Sequence, residues 1–170
     1  MRRVSAAGLL LVFALAAPAQ DGVELTPKGG RFKVRFPGRP KETTQKSKTP
    51  IGELAVYTAT YATADGNVLL VSHTDYPPEA ARPDHHATLI AGARDGLLGK
   101  DGKLVKDAAR DPAADAPAGR EFVVDKGKVQ LRFRMLMKDN RLYQAGAVGT
   151  GAFVTGKDAT DFLDSFQLVK

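Results

Sequence analysis

The 170-residue chain has no cysteine, which excludes disulfides, thiol catalysis and cysteine-ligated metals, so packing and strand pairing must supply its stability. It has only three histidines, and no internal repeat, coiled-coil heptad or low-complexity linker. It also lacks a long hydrophobic run. The charge-free stretch from Val4 to Gln20 has 17 residues and is rich in alanine, short of the ~20 strongly apolar residues a spanning helix needs.

That stretch has the form of a cleaved leader. Arg2 and Arg3 precede the apolar run, and Ala17-Pro18-Ala19 places small residues where a signal peptidase reads them. The expected organisation is a signal peptide at 1–19 and one domain at 20–170, exported to the periplasm or the exterior. With no cysteine after the run, a bacterial lipid anchor is excluded, and no transmembrane segment follows. The 151 residues left suffice for a single domain that buries ~68–70% of its unfolded surface.

The formal net charge is +6, and the excess is uneven. Between residues 20 and 50, eight basic residues (Lys28, Arg31, Lys33, Arg35, Arg39, Lys41, Lys46 and Lys48) face Asp21, Glu24 and Glu42, a net of +5. In an exported protein such a patch points to an acidic envelope protein, an anionic polymer or a lipid surface rather than to nucleic acid. Lysines on an exposed edge strand also block edge-to-edge aggregation, which explains the same residues without a partner.

Phe32, Val34 and Phe36 alternate with Lys33 and Arg35, the period of a half-buried strand ended by Pro37-Gly38. Residues 41–48 read as a polar edge strand turning near 50–52. Runs at 54–63 and 67–75 flank Asp65-Gly66; a two-residue turn there sets Tyr61 opposite Leu70 and Thr58 opposite His73. A helix is expected after Pro83, capped by Asp84, with Leu89, Ile90, Ala93 and Leu97 along one stripe and Gly99 or Gly102 as its stop. Residues 103–109 read as a strand and 111–118 as a loop.

With Lys126-Gly127 as a two-residue turn, Glu121 falls opposite Arg132, while Phe122 and Val124 meet Leu131 and Val129 on the other face. The strand continues through Phe133, Met135 and Met137, turns at Asp139-Asn140 and returns through Leu142. The result is a three-stranded meander with one long apolar face, interrupted by Gln144. Thr155 and Asp158 have capping-box spacing before the stripe Ala159, Phe162, Leu163 and Phe166, and a last strand is expected at 167–169.

The candidate chemistry is thin. Gly151, Gly156 and Lys157 fit G-x-x-x-x-G-K, but Asp158 replaces the magnesium-binding Ser or Thr and only twelve residues follow it. His85 and His86 are adjacent and on a helix point ~100° apart, whereas His73 and Asp75 share a strand face. Ser72 and His73 face opposite sides, and no G-x-S-x-G elbow is present. Glu121 and Asp125 lie ~13 Å apart along a strand, too far for a glycosidase pair. No catalytic, cofactor or metal site is expected.

The segments Phe32-Lys33-Val34-Arg35-Phe36-Pro37-Gly38-Arg39-Pro40, Gly119-Arg120-Glu121-Phe122, Arg141-Leu142-Tyr143-Gln144 and Phe162-Leu163-Asp164-Ser165-Phe166 resemble, in that order, exported bacterial proteins of unknown function. These in turn look like the PsbP and DcrB type of fold. The resemblance implies an α+β domain: a central antiparallel sheet of about six to eight strands in meander hairpins, with a middle helix and a short C-terminal helix packed on it. It also implies accessory or binding roles without catalysis, and brings no catalytic residue with it. The contact set expected for a partner is Arg31, Lys33, Arg35, Arg132, Arg134, Arg141 and Tyr143. The alternatives are a carrier enclosing a small apolar ligand between sheet and helix, with Tyr57, Tyr61 and Gln144 as polar markers, and an enzyme, which needs titratable groups converging in one cleft.

Overall fold

The computed structural model describes residues 22–49, 51–110 and 119–169. The leader expected at 1–19, the loop at 111–118 and Pro50 lie outside them.

Ten strands and three α-helices follow one another as β1 (Val23–Leu25), β2 (Phe32–Phe36), β3 (Lys41–Thr49), β4 (Gly52–Ala62), β5 (Val68–Asp75), α1 (His86–Leu98), β6 (Lys103–Arg110), β7 (Gly119–Asp125), β8 (Gln130–Lys138), β9 (Arg141–Gly149), α2 (Gly151–Thr155), α3 (Lys157–Ser165) and β10 (Gln167–Leu168). Seven of the strands form one antiparallel sheet in the order β3-β4-β5-β9-β8-β7-β6. It consists of two hairpin-connected ribbons, β3–β5 and β6–β9, joined side by side where β5 pairs with β9. The α+β architecture with a middle helix and a short C-terminal helix is the one expected from the sequence.

Both faces of this sheet are covered, because side chains alternate along each strand and both sets are apolar in the central strands. On the first face Ala59, Leu69, Val71, Tyr143, Ala145 and Ala147 pack under Phe32, Val34 and Phe36 of β2 and under Val154, Ala159, Phe162, Leu163 and Phe166 of the C-terminal helices. The second face presents Phe122, Val124, Leu131, Phe133, Met135, Met137 and Leu142 to Ile90, Leu89, Ala93 and Leu97 of α1. The helix stripe and the meander face are therefore the ones the periodicity indicates. At its crowded centre a Cβ on Gly146 would stand 2.5 Å from the ring of its cross-strand partner Phe133, which stacks on Phe122 at 6.2 Å. Glycine at 146 makes room for the aromatic ring.

Several local expectations are corrected. β2, which alternation marked only as a half-buried strand, stands outside the main sheet and pairs with β1 and β10 in a small three-stranded sheet laid over the first face. The Asp65-Gly66 hairpin closes with one more residue than expected, since Thr63 N–H donates to Asn67 O at 2.8 Å and Gly66 takes φ 77°. Tyr61 therefore faces Leu69 and Thr58 faces Ser72. This is the three-residue loop with a left-handed glycine, and it competes with the two-residue turn for the same dipeptide. The β7–β8 hairpin keeps a two-residue turn but places it at Gly127-Lys128, since Lys126 N–H donates to Val129 O at 2.9 Å, so Glu121 pairs with Arg134 and Val124 with Leu131; a register shift of two leaves every side chain on its expected face.

The helix caps also differ from expectation. Asp84 lies in the 3-10 turn Pro83–His85 and pairs with Arg82 at 2.9 Å, leaving the N-terminus of α1 without a side-chain cap. Thr155 is the last residue of α2 rather than an N-cap; α2 is N-capped by Thr150, which accepts from the Phe153 N–H at 3.2 Å, and α3 follows Gly156 with no side-chain cap. Gly156 separates α2 from α3.

Candidate functional site

Arg141 and Tyr143, two residues apart on the same face of β9, are both buried, at 9% and 3% exposure. Arg141 faces Asp75 across the β5–β9 pair and grips its carboxylate with Nε and Nη2, the latter at 2.6 Å. Its Nη1 donates to Gly29 O at 2.6 Å and Gly30 O at 3.0 Å. The guanidinium thus fastens the turn before β2 to the sheet. Its hydrogen bond is the main reason the Asp75 carboxyl is held below the usual range, against burial, with the charges of Arg141, His73 and Arg31 adding to the effect.

Beside this clamp, His73 stacks on Tyr57 with ring centroids 4.9 Å apart and meets Phe32 edge-on at 6.0 Å. Burial, helped by the charge of Arg141, lowers its pKa, and its Nδ1 is buried without a hydrogen-bond partner among the described residues. Tyr57 donates to Glu42 at 2.6 Å; burial first, then that bond, raises its pKa.

Arg132 and Arg134 of β8 converge on Glu121 at 3.1 and 2.6 Å. Arg132 also donates to Thr160 Oγ1 at 2.9 Å and Val154 O at 3.2 Å, and Arg134 pairs with Asp164 at 2.5 Å, so both arginines tie α2 and α3 to the sheet. Burial opposes the Glu121 charge, but the Arg134 hydrogen bond and the charges of both arginines outweigh it and hold the carboxyl at about 2. Of the seven residues expected to contact a partner, four therefore serve internal contacts. Of the other three, Lys33 and Arg35 take alternate outward positions of β2, half-buried and exposed, and Arg31 is exposed just before the strand with φ 57°.

The carrier markers do not converge. Tyr57 and Tyr61 share the first face through their partners His73 and Leu69, whereas Gln144 pairs with Ser72 and Met135 on the second. The phosphate-loop look-alike is absorbed by α2 and α3, where Lys157 pairs with Asp161 one turn on. His85 and His86 reach the carbonyls of Ala80 and Ala81 at 3.2 and 3.0 Å. Among the described residues no group of three or more His, Asp or Glu side chains is placed to hold a metal ion, and no helix is long and apolar enough to cross a membrane.

The feature missed in the sequence is an open groove of about 990 Å³ on the second face, between the N-terminal half of α1 and the far ends of β6–β8. Its floor is Ala81, Ile90, Met137 and Ala109, with Ala87 at the mouth; Arg82, Arg120, Lys138 and Asp139 form the rim. Arg120 is anchored by Asp107 at 2.6 Å yet keeps 40% of its side chain exposed. Alanines where the helix and sheet stripes call for larger side chains are the only trace the groove leaves in the sequence. A second concavity of about 760 Å³ between β2 and α3 mixes Lys33 and Arg35 with Glu24, Asp158 and Asp161.

The sequence matches no protein-family model and no curated protein. Among solved structures the chain is similar to the solution structure of cyanobacterial PsbP from Synechocystis sp. PCC 6803, with a TM-score of 0.55 at 15% identity over 95% of this chain and 99% of that one. A crystal structure from Bacteroides thetaiotaomicron VPI-5482 aligns with a TM-score of 0.45 at 9% identity over 88% of this chain and 49% of that one. The likeness to cyanobacterial PsbP is one of fold: the domain is PsbP-like.

Proposed function

We propose that the chain is an exported, non-catalytic accessory or binding protein of the bacterial cell envelope, acting through contact with an acidic protein, an anionic polymer or a lipid surface. The supporting observation is how its charges are distributed. Glu121, Asp107 and Asp75 are all neutralised by arginines, which lowers their pKa values, the opposite of what a general acid requires. Arg31, Lys33 and Arg35, in contrast, form no ion pair among the described residues. Cations clustered along and just before one strand steer an anionic partner, and the complex weakens as salt screens them.

Crosslinking the protein in its own envelope tests this reading. A partner captured by the wild type and lost from the triple variant Arg31→Glu, Lys33→Glu, Arg35→Glu is the expected result, with complex formation falling as ionic strength rises. A complex indifferent to both salt and charge reversal contradicts it. A carrier of a small ligand is the second reading, favoured by the groove between α1 and the sheet.

A further inference from the structure

We infer that the groove under α1 binds an amphipathic monocarboxylate, its aliphatic tail on the floor and its carboxylate at the cationic rim. The inference rests on the carrier reading and changes its terms: the ligand is charged at one end and lies in an open groove rather than an enclosed cavity.

The size is suitable, since ligand sites run to ~300–1,000 Å³ and are mostly apolar with a few polar groups that fix orientation. The chemistry of the lining narrows the class. Ala81, Ala87, Ile90, Ala109 and Met137 are aliphatic or thioether side chains, and the lining holds no Phe, Tyr or Trp; its one ring, His86, is held against the Ala81 carbonyl at 3.0 Å. On the aliphatic floor a flexible alkyl chain meets a surface of its own kind.

The rim supplies the sign of the head group. Three of its charged side chains, Arg82, Arg120 and Lys138, are cationic and one, Asp139, is anionic. Arg82 reaches Asp84 through Nη2 alone, and Arg120 uses Nε and Nη2 on Asp107, so each guanidinium keeps donors for another acceptor. Lys138 is exposed and in no ion pair among the described residues. These unused donors and the unpaired Lys138 favour a carboxylate head over an alcohol, because the carboxylate accepts from them through charge-assisted hydrogen bonds.

Titration of the purified protein with dodecanoate, dodecanol and acetate separates tail from head. Saturable binding of dodecanoate about tenfold tighter than either of the others is expected. Ala87→Trp, which fills the mouth from an exposed helix position, should abolish it, while Thr88→Trp, exposed one residue along and outside the lining, should not. Lys138→Glu, a surface change that leaves packing intact, should weaken dodecanoate several-fold and spare dodecanol. Equal binding of dodecanol and dodecanoate overturns the inference but leaves a carrier of apolar ligands standing. No binding of either, or binding unaffected by both Ala87→Trp and Lys138→Glu, overturns the inference, and the first of these removes the carrier reading as well.

Discussion

Glu121 shows how a single side chain links sequence to the docking of a whole helix. Its carboxylate sits between Arg132 and Arg134, whose far ends hold Thr160 and Asp164 of α3. Because its pKa falls from 4.5 to about 2 on folding, the associated stability is complete above the unfolded value and is lost as pH drops through the folded one. The shift corresponds to up to ~3 kcal/mol. Urea unfolding of the wild type should therefore weaken steadily between pH 5 and pH 2, and Glu121→Gln should flatten that dependence while lowering stability at pH 7. An unchanged acid limb in the variant would place the titration elsewhere. The pattern of charge around Glu121 was legible, since alternation put Arg132 and Arg134 on its face. Their destination was not, because the helix they hold lies almost thirty residues further on.

At the scale of elements, alternation and turn chemistry give unequal information. Hydrophobic period placed β2, β8, α1 and α3 correctly because each buries one face, and a face is a local property. Turn closure is decided by one or two residues of loop, and Asp-Gly suits both a two-residue turn and a three-residue loop with a left-handed glycine. A loop one residue longer at Asp65-Gly66 changes every cross-strand partner, whereas a two-residue turn displaced by one position, from Lys126-Gly127 to Gly127-Lys128, moves the register by two and keeps faces. Pairing itself creates requirements that no single strand carries. Gly146 reads as a weak point of β9 until Phe133 is set opposite it. Gly146→Ala should cost ~1–3 kcal/mol by forcing that ring aside, and the cost should shrink in a Phe133→Leu background, as a double-mutant cycle measured by urea unfolding would register. Additive effects would mean that the ring does not occupy the space.

For the molecule as a whole, the class of fold was legible and its assembly was not. Two hairpin-connected ribbons are each visible as runs of local signals, but nothing in either announces that β5 lies against β9, or that β2 leaves the sheet to cover it. The groove escaped for the same reason: it is a gap between two elements, and its only mark is the small side chains at Ala81, Ala87 and Ala109. The resemblance carried by the motifs around Phe32, Gly119, Arg141 and Phe162 reached the PsbP-like fold because those residues build the layers rather than a reaction centre.

The β5–β9 pairing has a kinetic consequence. Within each ribbon neighbouring strands are close in sequence, but Asp75 and Arg141 stand 66 positions apart, and bringing them together closes a long stretch of chain before any contact rewards it. The two ribbons can gather early and independently; their union is the slow event, and the Arg141 guanidinium sits at the place where it is sealed. Removing that clamp with Arg141→Met should slow refolding as well as hasten unfolding if the union is the barrier, a partition that stopped-flow rates resolve. If only the unfolding rate responds, the two halves meet after the summit has been crossed.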